Sequence, residues 1–396
     1  MSLNKTPRGN RLHIGIFGKR NSGKSTLINA ILGHETALVS DVPGTTTDPV
    51  YKTIEIQGIG PCVIIDTAGF DDKGQLGKMR IEKTKDVLLK TDFALILCTD
   101  LDFKKELEWI ESFKEKKIPY IILINKSDII ENVEEIEKEI RDRCKEKPLI
   151  ISGKNKDGIE KIKKEILRKL PDDYDGIDIT GDLIEEDDVV LLVMPQDIQA
   201  PKGRLILPQV QTIREILDKR CITICCTTDK FEKALFSLRK PPKLIITDSQ
   251  VFKTVYEKKP KESMLTSFSI LFASYKGDID YYARSAPFIE ELTDKSRILI
   301  AEACTHAPAS EDIGRVKIPK MLRKKIGENL TIDIVSGNDF PKDLRKYDLI
   351  IQCGACMFNR KYMMSRIQIA KDQGVPMTNY GVVIAYLNGI LDKVTY

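Results

Sequence analysis

Residues 12–17, LHIGIF, run directly into GKRNSGKS, residues 18–25, and a helix-forming stretch follows. The spacing G-x-x-x-x-G-K-[ST] after an apolar strand and before a helix constrains the local fold to strand, phosphate-wrapping loop and helix. Gly18 and Gly23 let backbone N–H groups turn inward, and the following helix N-terminus adds favourable partial charge for an anion. Lys24 is placed to reach the β- and γ-phosphates of a nucleoside triphosphate, and Ser25 to hold Mg²⁺. Asn21, Ser22 and Thr26 complete the run of candidate nucleotide contacts.

Three further motifs sit at strand ends in chain order. DTAG, residues 66–69, closes the apolar run CVIID, so Asp66 suits a Mg²⁺-bound water and the Gly69 amide suits a γ-phosphate sensor. NKSD, residues 125–128, closes YIILI and supplies Asn125, Lys126 and Asp128. The Asp128 carboxylate can accept from the ring N–H and exocyclic amine of guanine, a donor pair that adenine lacks, and such pairing rejects the wrong base by roughly 10⁴-fold. SGK (Ser152, Gly153, Lys154) follows PLII and offers backbone N–H groups to the guanine O6. Together they imply GTP as ligand and Lys24, Asp66 and Gly69 as catalytic candidates.

Apolar runs alternate with Lys/Glu-rich helical stretches up to residue 170, which predicts a parallel sheet covered by helices. The acidic stretch at residues 171–188 reads as a linker, and VYEKKPKES, residues 255–263, as a second boundary. The expected domains are therefore 1–171, 172–262 and 263–396. The middle one reads as a small α/β unit with strands VVLLV, CITICC and KLIITD, and with Cys221, Cys225 and Cys226 as buried core residues on a central strand. In the last one, SFSILFAS, SRILIAEA, LTIDIVS and YDLIIQC read as strands, followed by a helix, a connection and a final helix. Trp109 and Phe113, four apart on a helix, read as core. The 63 basic residues against 59 acidic ones in 396 exclude a strongly basic nucleic-acid-binding chain. No apolar run has membrane-spanning length, and the first residues lack an apolar signal core, so a cytoplasmic protein with reduced thiols is expected.

Nine cysteines make clustering informative. Cys304 and His306 follow the strand RILIAEA, and Cys353 and Cys356, at C-x-x-C spacing, follow DLIIQ. In a parallel sheet both strands end on one edge, so sites about fifty residues apart can meet there. Three thiolates and a histidine suit an iron–sulfur cluster or zinc, and chance spacing is the remaining alternative.

The N-terminal motifs resemble those of GTPases related to the TrmE (tRNA-modifying) and Era (ribosome-assembly) families over residues 12–171. PGTTTD, residues 43–48, resembles their first switch, which implies that Thr46 binds Mg²⁺ and acts in hydrolysis; Thr47 stands where those relatives carry Arg. Asn21 matches an asparagine that helps bind K⁺ in potassium-activated members. Phe70 stands where many GTPases carry a water-orienting Gln, so slow, K⁺-stimulated turnover is expected. The pattern C-x-H, 46 residues, C-x-x-C, together with the three-part layout, resembles the FeFe-hydrogenase maturation GTPase, the HydF family, along essentially the whole chain. The family has His before the last cysteine pair; this chain has Gln352. The resemblance implies a 4Fe-4S cluster on Cys304, Cys353 and Cys356, with His306 as one candidate for the fourth position. It also implies a scaffold for a diiron precursor, homodimerisation through the middle domain, and as partners two radical SAM maturases and the hydrogenase apo-enzyme. The alternative is an RNA-linked GTPase carrying a structural metal module.

Overall fold

Long apolar strands need cover on both faces, and the first sheet has it. The computed structural model describes residues 7–33, 49–56, 58–67, 69, 82–171, 178–195, 205–303, 312–355 and 357–396. Its contacts divide into two units, Met1–Asp175 and Gly176–Tyr396.

The first unit runs β1 (Leu12–Gly18), α1 (Lys24–Gly33), β2 (Val50–Ile56), β3 (Gly60–Asp66), α2 (82–88), β4 (Phe93–Cys98), α3 (Lys104–Glu115), β5 (Tyr120–Ile124), α4 (Val133–Cys144), β6 (Leu149–Ile150) and α5 (Ile159–Lys169). The sheet order is β2-β3-β1-β4-β5-β6, with β2 antiparallel to β3 and the other pairings parallel. Every residue of β1, β4 and β5 is buried, as parallel strands covered on both faces require. One face packs Leu27, Ile28 and Ile31 of α1 with Ile159, Ile162 and Ile166 of α5. The other packs Trp109, Ile110 and Phe113 of α3 with Ile136 and Ile140 of α4. Trp109 and Phe113 are thus core, each within ring-contact distance of Phe17.

The second unit holds two parallel four-stranded sheets. It runs β7 (Val189–Val193), α6 (Leu207–Asp218), β8 (Ile222–Cys226), α7 (Phe231–Phe236), β9 (Leu244–Thr247), α8 (Phe252–Lys258), β10 (Met264–Ser267), α9 (Phe268–Lys276), α10 (Ile279–Ser285), β11 (Arg297–Glu302), α11 (Ile318–Ile326), β12 (Thr331–Ser336), β13 (Leu349–Gln352), α12 (Arg360–Asp372), β14 (Met377–Asn379) and α13 (Tyr380–Leu387). The orders are β10-β9-β7-β8 and β12-β11-β13-β14.

Several expectations change here. SFSILFAS is not a strand: after β10 the chain turns into α9, capped by Ser267 Oγ accepting from the Ile270 N–H. A short apolar run buried on all sides carries no periodicity to separate helix from strand. The connection within the last segment contains β14. CITICC is an edge strand rather than a central one, so Cys221 is buried but Cys225 is exposed and Cys226 half-buried. The end of the expected linker docks: Ile179 and Ile184 are core, and Glu215 accepts from the N–H groups of Ile179 and Thr180 at 2.5 and 2.8 Å. The limit expected after residue 262 falls before β10, which pairs with β9.

Glu106, in the first turn of α3, is buried, and its Oε2 has no hydrogen-bond partner among the described residues. Burial pushes its carboxyl up from 4.5 to about 7. The folded form therefore binds the extra proton, and stability is lost as pH rises from 4.5 through about 7. Glu106→Gln should raise the melting temperature at pH 8 and lose that advantage by pH 4 to 5; scanning calorimetry across this range checks it, and an equal shift at both ends contradicts it.

Candidate functional site

The phosphate loop is shaped by backbone conformations that few side chains accept. Gly23 has φ +89°, and a Cβ there would collide with the Asn125 side chain. Asn21 adopts φ +60°, a left-handed value that asparagine tolerates better than most residues. Behind the loop, Lys24 Nζ donates to the carbonyls of Gly18 and Lys19 at 2.9 and 2.8 Å. Lys19 ties the loop to the end of β4 through Asp100 at 3.0 Å. The Ser22 hydroxyl is buried and has no hydrogen-bond partner among the described residues.

Ser25 Oγ donates to Asp66 Oδ2 at 2.9 Å, so the two oxygens expected around Mg²⁺ already face each other. Burial raises the Asp66 carboxyl above its usual range, against the opposing effects of Ser25, Lys24 and Lys52. Gly69 approaches the loop so closely that a Cβ would lie 2.6 Å from the Arg20 amide nitrogen. Thr67 Oγ1 anchors this turn on the Ile16 carbonyl at 2.7 Å. Thr26 lies in the first turn of α1. Thr46, Thr47 and Phe70 lie outside the described residues.

The guanine motif behaves differently from its expected simple reading as base contacts. Asn125, almost fully buried, is a structural tie: its Nδ2 donates to the Ser22 carbonyl at 2.8 Å and its Oδ1 accepts from the Gly153 N–H at 3.0 Å. It clamps the phosphate loop to the SGK turn. Ser152 Oγ donates to Asp128 Oδ1 at 2.7 Å, and this bond is the first cause of the lowered Asp128 carboxyl. Asp128 is exposed, anionic and oriented, as a guanine acceptor must be. Lys126 takes φ +66° beside it, and Lys154 is exposed.

In the second unit, β11 and β13 are parallel neighbours, with Ala301 opposite Gln352. The chain leaves β11 for β12 on one side and reaches β13 on the other, so the strand order reverses at this pair. Crevices at such switch points, beyond the strand carboxyl ends, are where α/β sheets bind ligands. Cys353 stands there. Its Sγ accepts from the N–H groups of Ala303 (3.0 Å) and Ala355 (3.4 Å) and from Gln352 Nε2 (3.5 Å). Ala355 takes φ +51° next to it, a strained value for alanine of the kind that concentrates at functional sites. Ala303, Ala355, Met357, Phe358 and Met363 form an apolar wall around the sulfur. Glu302, the last residue of β11 and two before Cys304 in the sequence, is engaged by Arg315, Ser336 and Tyr380.

Cys304, His306 and Cys356 lie outside the described residues. Among the described residues no three His, Cys, Asp or Glu side chains form a metal-holding group. Sequence reasoning did not find the tie made by Asn125 or the buried Arg366 behind Gln352; both types are ordinarily read as surface or ligand-facing.

The geometry defines a P-loop GTPase domain joined to a parallel α/β unit. Residues 13–126 match the family model described as 50S ribosome-binding GTPase. Residues 179–277 match the hydrogen maturase F dimerization domain, and residues 280–395 its tetramerization domain. The chain belongs to the hydrogen maturase F (HydF) family, with a TrmE/Era-like GTPase domain at its N-terminal side.

Curated relatives match the GTPase part. GTPase Der of Wolinella succinogenes is 39% identical over 167 residues, 40% of this chain and 35% of that protein. The tRNA modification GTPase MnmE of Clostridioides difficile is 36% identical over 155 residues, 38% of this chain and 33% of that protein. The chain spans about a third of the length of these relatives. Aquifex aeolicus Era, solved with GDP.AlF4-, superposes with a TM-score of 0.34 at 20% identity, over 54% of this chain and 92% of that one. Among the described residues no helix is long and apolar enough to cross a membrane.

Asn125→Ala removes both halves of the clamp and leaves the Ser22 carbonyl and Gly153 N–H without this partner. We expect a loss of about 2–4 kcal/mol in urea unfolding, since each buried group left unsatisfied costs about 1–3 kcal/mol, and weaker GDP binding by at least about tenfold. Wild-type stability in the variant contradicts the clamp.

Proposed function

We propose that the chain is a GTP-hydrolysing scaffold for an iron–sulfur group, assembling and delivering the diiron precursor of a FeFe-hydrogenase active site. The observation that carries this reading is the Cys353 sulfur, held at a sheet switch point under three N–H donors in an apolar wall. That environment fits a thiolate ligand rather than an inert buried thiol, because N–H donors stabilise the charged sulfur and tune any iron bound to it.

In the first unit, backbone N–H groups of residues 18–25 hold the GTP phosphates, and Lys24 moves from the Gly18 and Lys19 carbonyls onto the β- and γ-oxygens. Ser25, Asp66 and Thr46 would hold Mg²⁺. Asp128, oriented by Ser152, selects guanine, while Ser152, Gly153 and Lys154 close over its O6 edge. Gly69 senses the γ-phosphate. Asn21 would hold K⁺, which would supply positive charge near the γ-phosphate of the kind an arginine finger gives.

In the second unit, Cys304, Cys353 and Cys356 would hold a 4Fe-4S cluster, with His306 one candidate for the fourth position. Such a group would supply a one-electron site with an exchangeable ligand position. Gln352 is fully buried and its amide oxygen is occupied by Arg366, so it does not take the place of the family's histidine. The middle sheet serves self-association as a homodimer. The radical SAM maturases and the apo-hydrogenase are the proposed partners, in the cytoplasm. The RNA-linked alternative is not favoured: the tRNA-modifying relative matches 155 residues, 38% of this chain, whereas residues 179–277 and 280–395 match maturase domains.

Two measurements check the reading. Anaerobically prepared protein should contain about four iron and four sulfide per chain, lost in the Cys304/Cys353/Cys356→Ala triple variant; zinc without sulfide would overturn it. GTP turnover should rise about tenfold or more when K⁺ replaces Na⁺, and equal rates in the two salts would remove the potassium role.

A further inference from the structure

Arg366, on α12, is only 1% exposed, and among the described residues no carboxylate pairs with it. An isolated buried cation is strongly disfavoured unless something compensates it. Its Nη2 donates to the Gly337 carbonyl at 2.6 Å and to the Tyr362 hydroxyl at 3.2 Å. Its guanidinium carbon lies 4.6–4.7 Å from the ring centroids of Phe340, Phe358 and Tyr362. These contacts solvate the cation without neutralising it, and Nε has no hydrogen-bond partner among the described residues.

The remaining contact points at the cysteine. Arg366 Nη1 donates to Gln352 Oε1 at 3.0 Å. A guanidinium only donates, so the amide oxygen of Gln352 must face it and the NH₂ must face the other way. The other way is Cys353 Sγ, at 3.5 Å. Gln352 is completely buried and cannot turn to solvent. A positive charge is thus relayed through one polarised amide onto the sulfur.

We infer that Arg366, acting through Gln352, is the built-in countercharge of the anionic group held by Cys353. Arg366 is a positioning residue: it fixes the amide on the sulfur and favours the more negative, reduced state of the bound group. The inference rests on the iron–sulfur reading above and deepens it.

The test is an EPR-monitored redox titration of the anaerobically reconstituted full chain. The variants are Gln352→Glu, Arg366→Lys and Arg366→Met, with Arg345→Gln, at an exposed pair with Asp343, as control. Gln352→Glu keeps the volume and pairs with Arg366, cancelling its charge and removing the N–H from the sulfur. At the wild-type midpoint its ratio of reduced to oxidised cluster should fall about tenfold, or about 59 mV for a one-electron couple. Arg366→Met should fall in the same direction, Arg366→Lys by less, and the control not at all. If Arg366→Met does not fold, Gln352→Glu decides. A wild-type midpoint in fully loaded Gln352→Glu overturns this inference alone, whereas wild-type protein without iron and sulfide overturns the reading beneath it.

Discussion

Both candidate sites depend on one constraint: parallel strands deliver their carboxyl ends to the same edge. A crevice opens where consecutive connections leave a strand in opposite directions. In the first unit that strand is β1, flanked by β3 and β4, and the phosphate loop leaves its end. In the second it is β11, flanked by β12 and β13. The register of Ile298–Ala301 against Leu349–Gln352 brings Cys353 beneath the Ala303 amide. Residues some fifty positions apart in the chain thus stand side by side, because the hydrogen-bond ladder between two strands brings their flanks together.

Each site is then held by a buried polar side chain that bridges two parts of the chain. In the first, Asn125 joins Ser22 to Gly153. In the second, Gln352 joins Arg366 to Cys353. Buried amides of this kind are favourable only when each end is satisfied, and the requirement fixes their orientation. The consequence differs with charge. Asn125 joins neutral backbone groups, whereas Gln352 joins a sulfur to a cation that pairs with no carboxylate among the described residues.

The parts of this fold legible in the sequence are those with continuous apolar runs. β3, β4, β5, β7, β9, β11 and β13 each carry three or more consecutive large apolar residues, and β1, interrupted by His13 and Gly15, is marked by the phosphate-loop motif that follows it. β2 gives little sequence signal because Val50–Ile56 is half-exposed and interrupted by Lys52 and Glu55. β14, three residues long, has too little pattern to see. α9 was read as a strand because its buried residues surround the helix, leaving no polar face. At the sites, glycines and motif residues were legible because backbone shape and charge demand those types. Arg366 was not, since an arginine between Ser365 and Ile367 on a mixed helix reads as solvated, and only the packing of Phe340, Phe358 and Tyr362 around it shows otherwise.

The measurement that tests the central claim most directly is an anomalous-difference map at the iron absorption edge from crystals of the iron-loaded protein. The account predicts one iron feature per chain, beyond the carboxyl ends of β11 and β13 and within about 2.3 Å of the Cys353 sulfur, with none beside Cys225 or Cys226. Iron elsewhere on the chain, or density at this edge that does not reach Cys353, would contradict it.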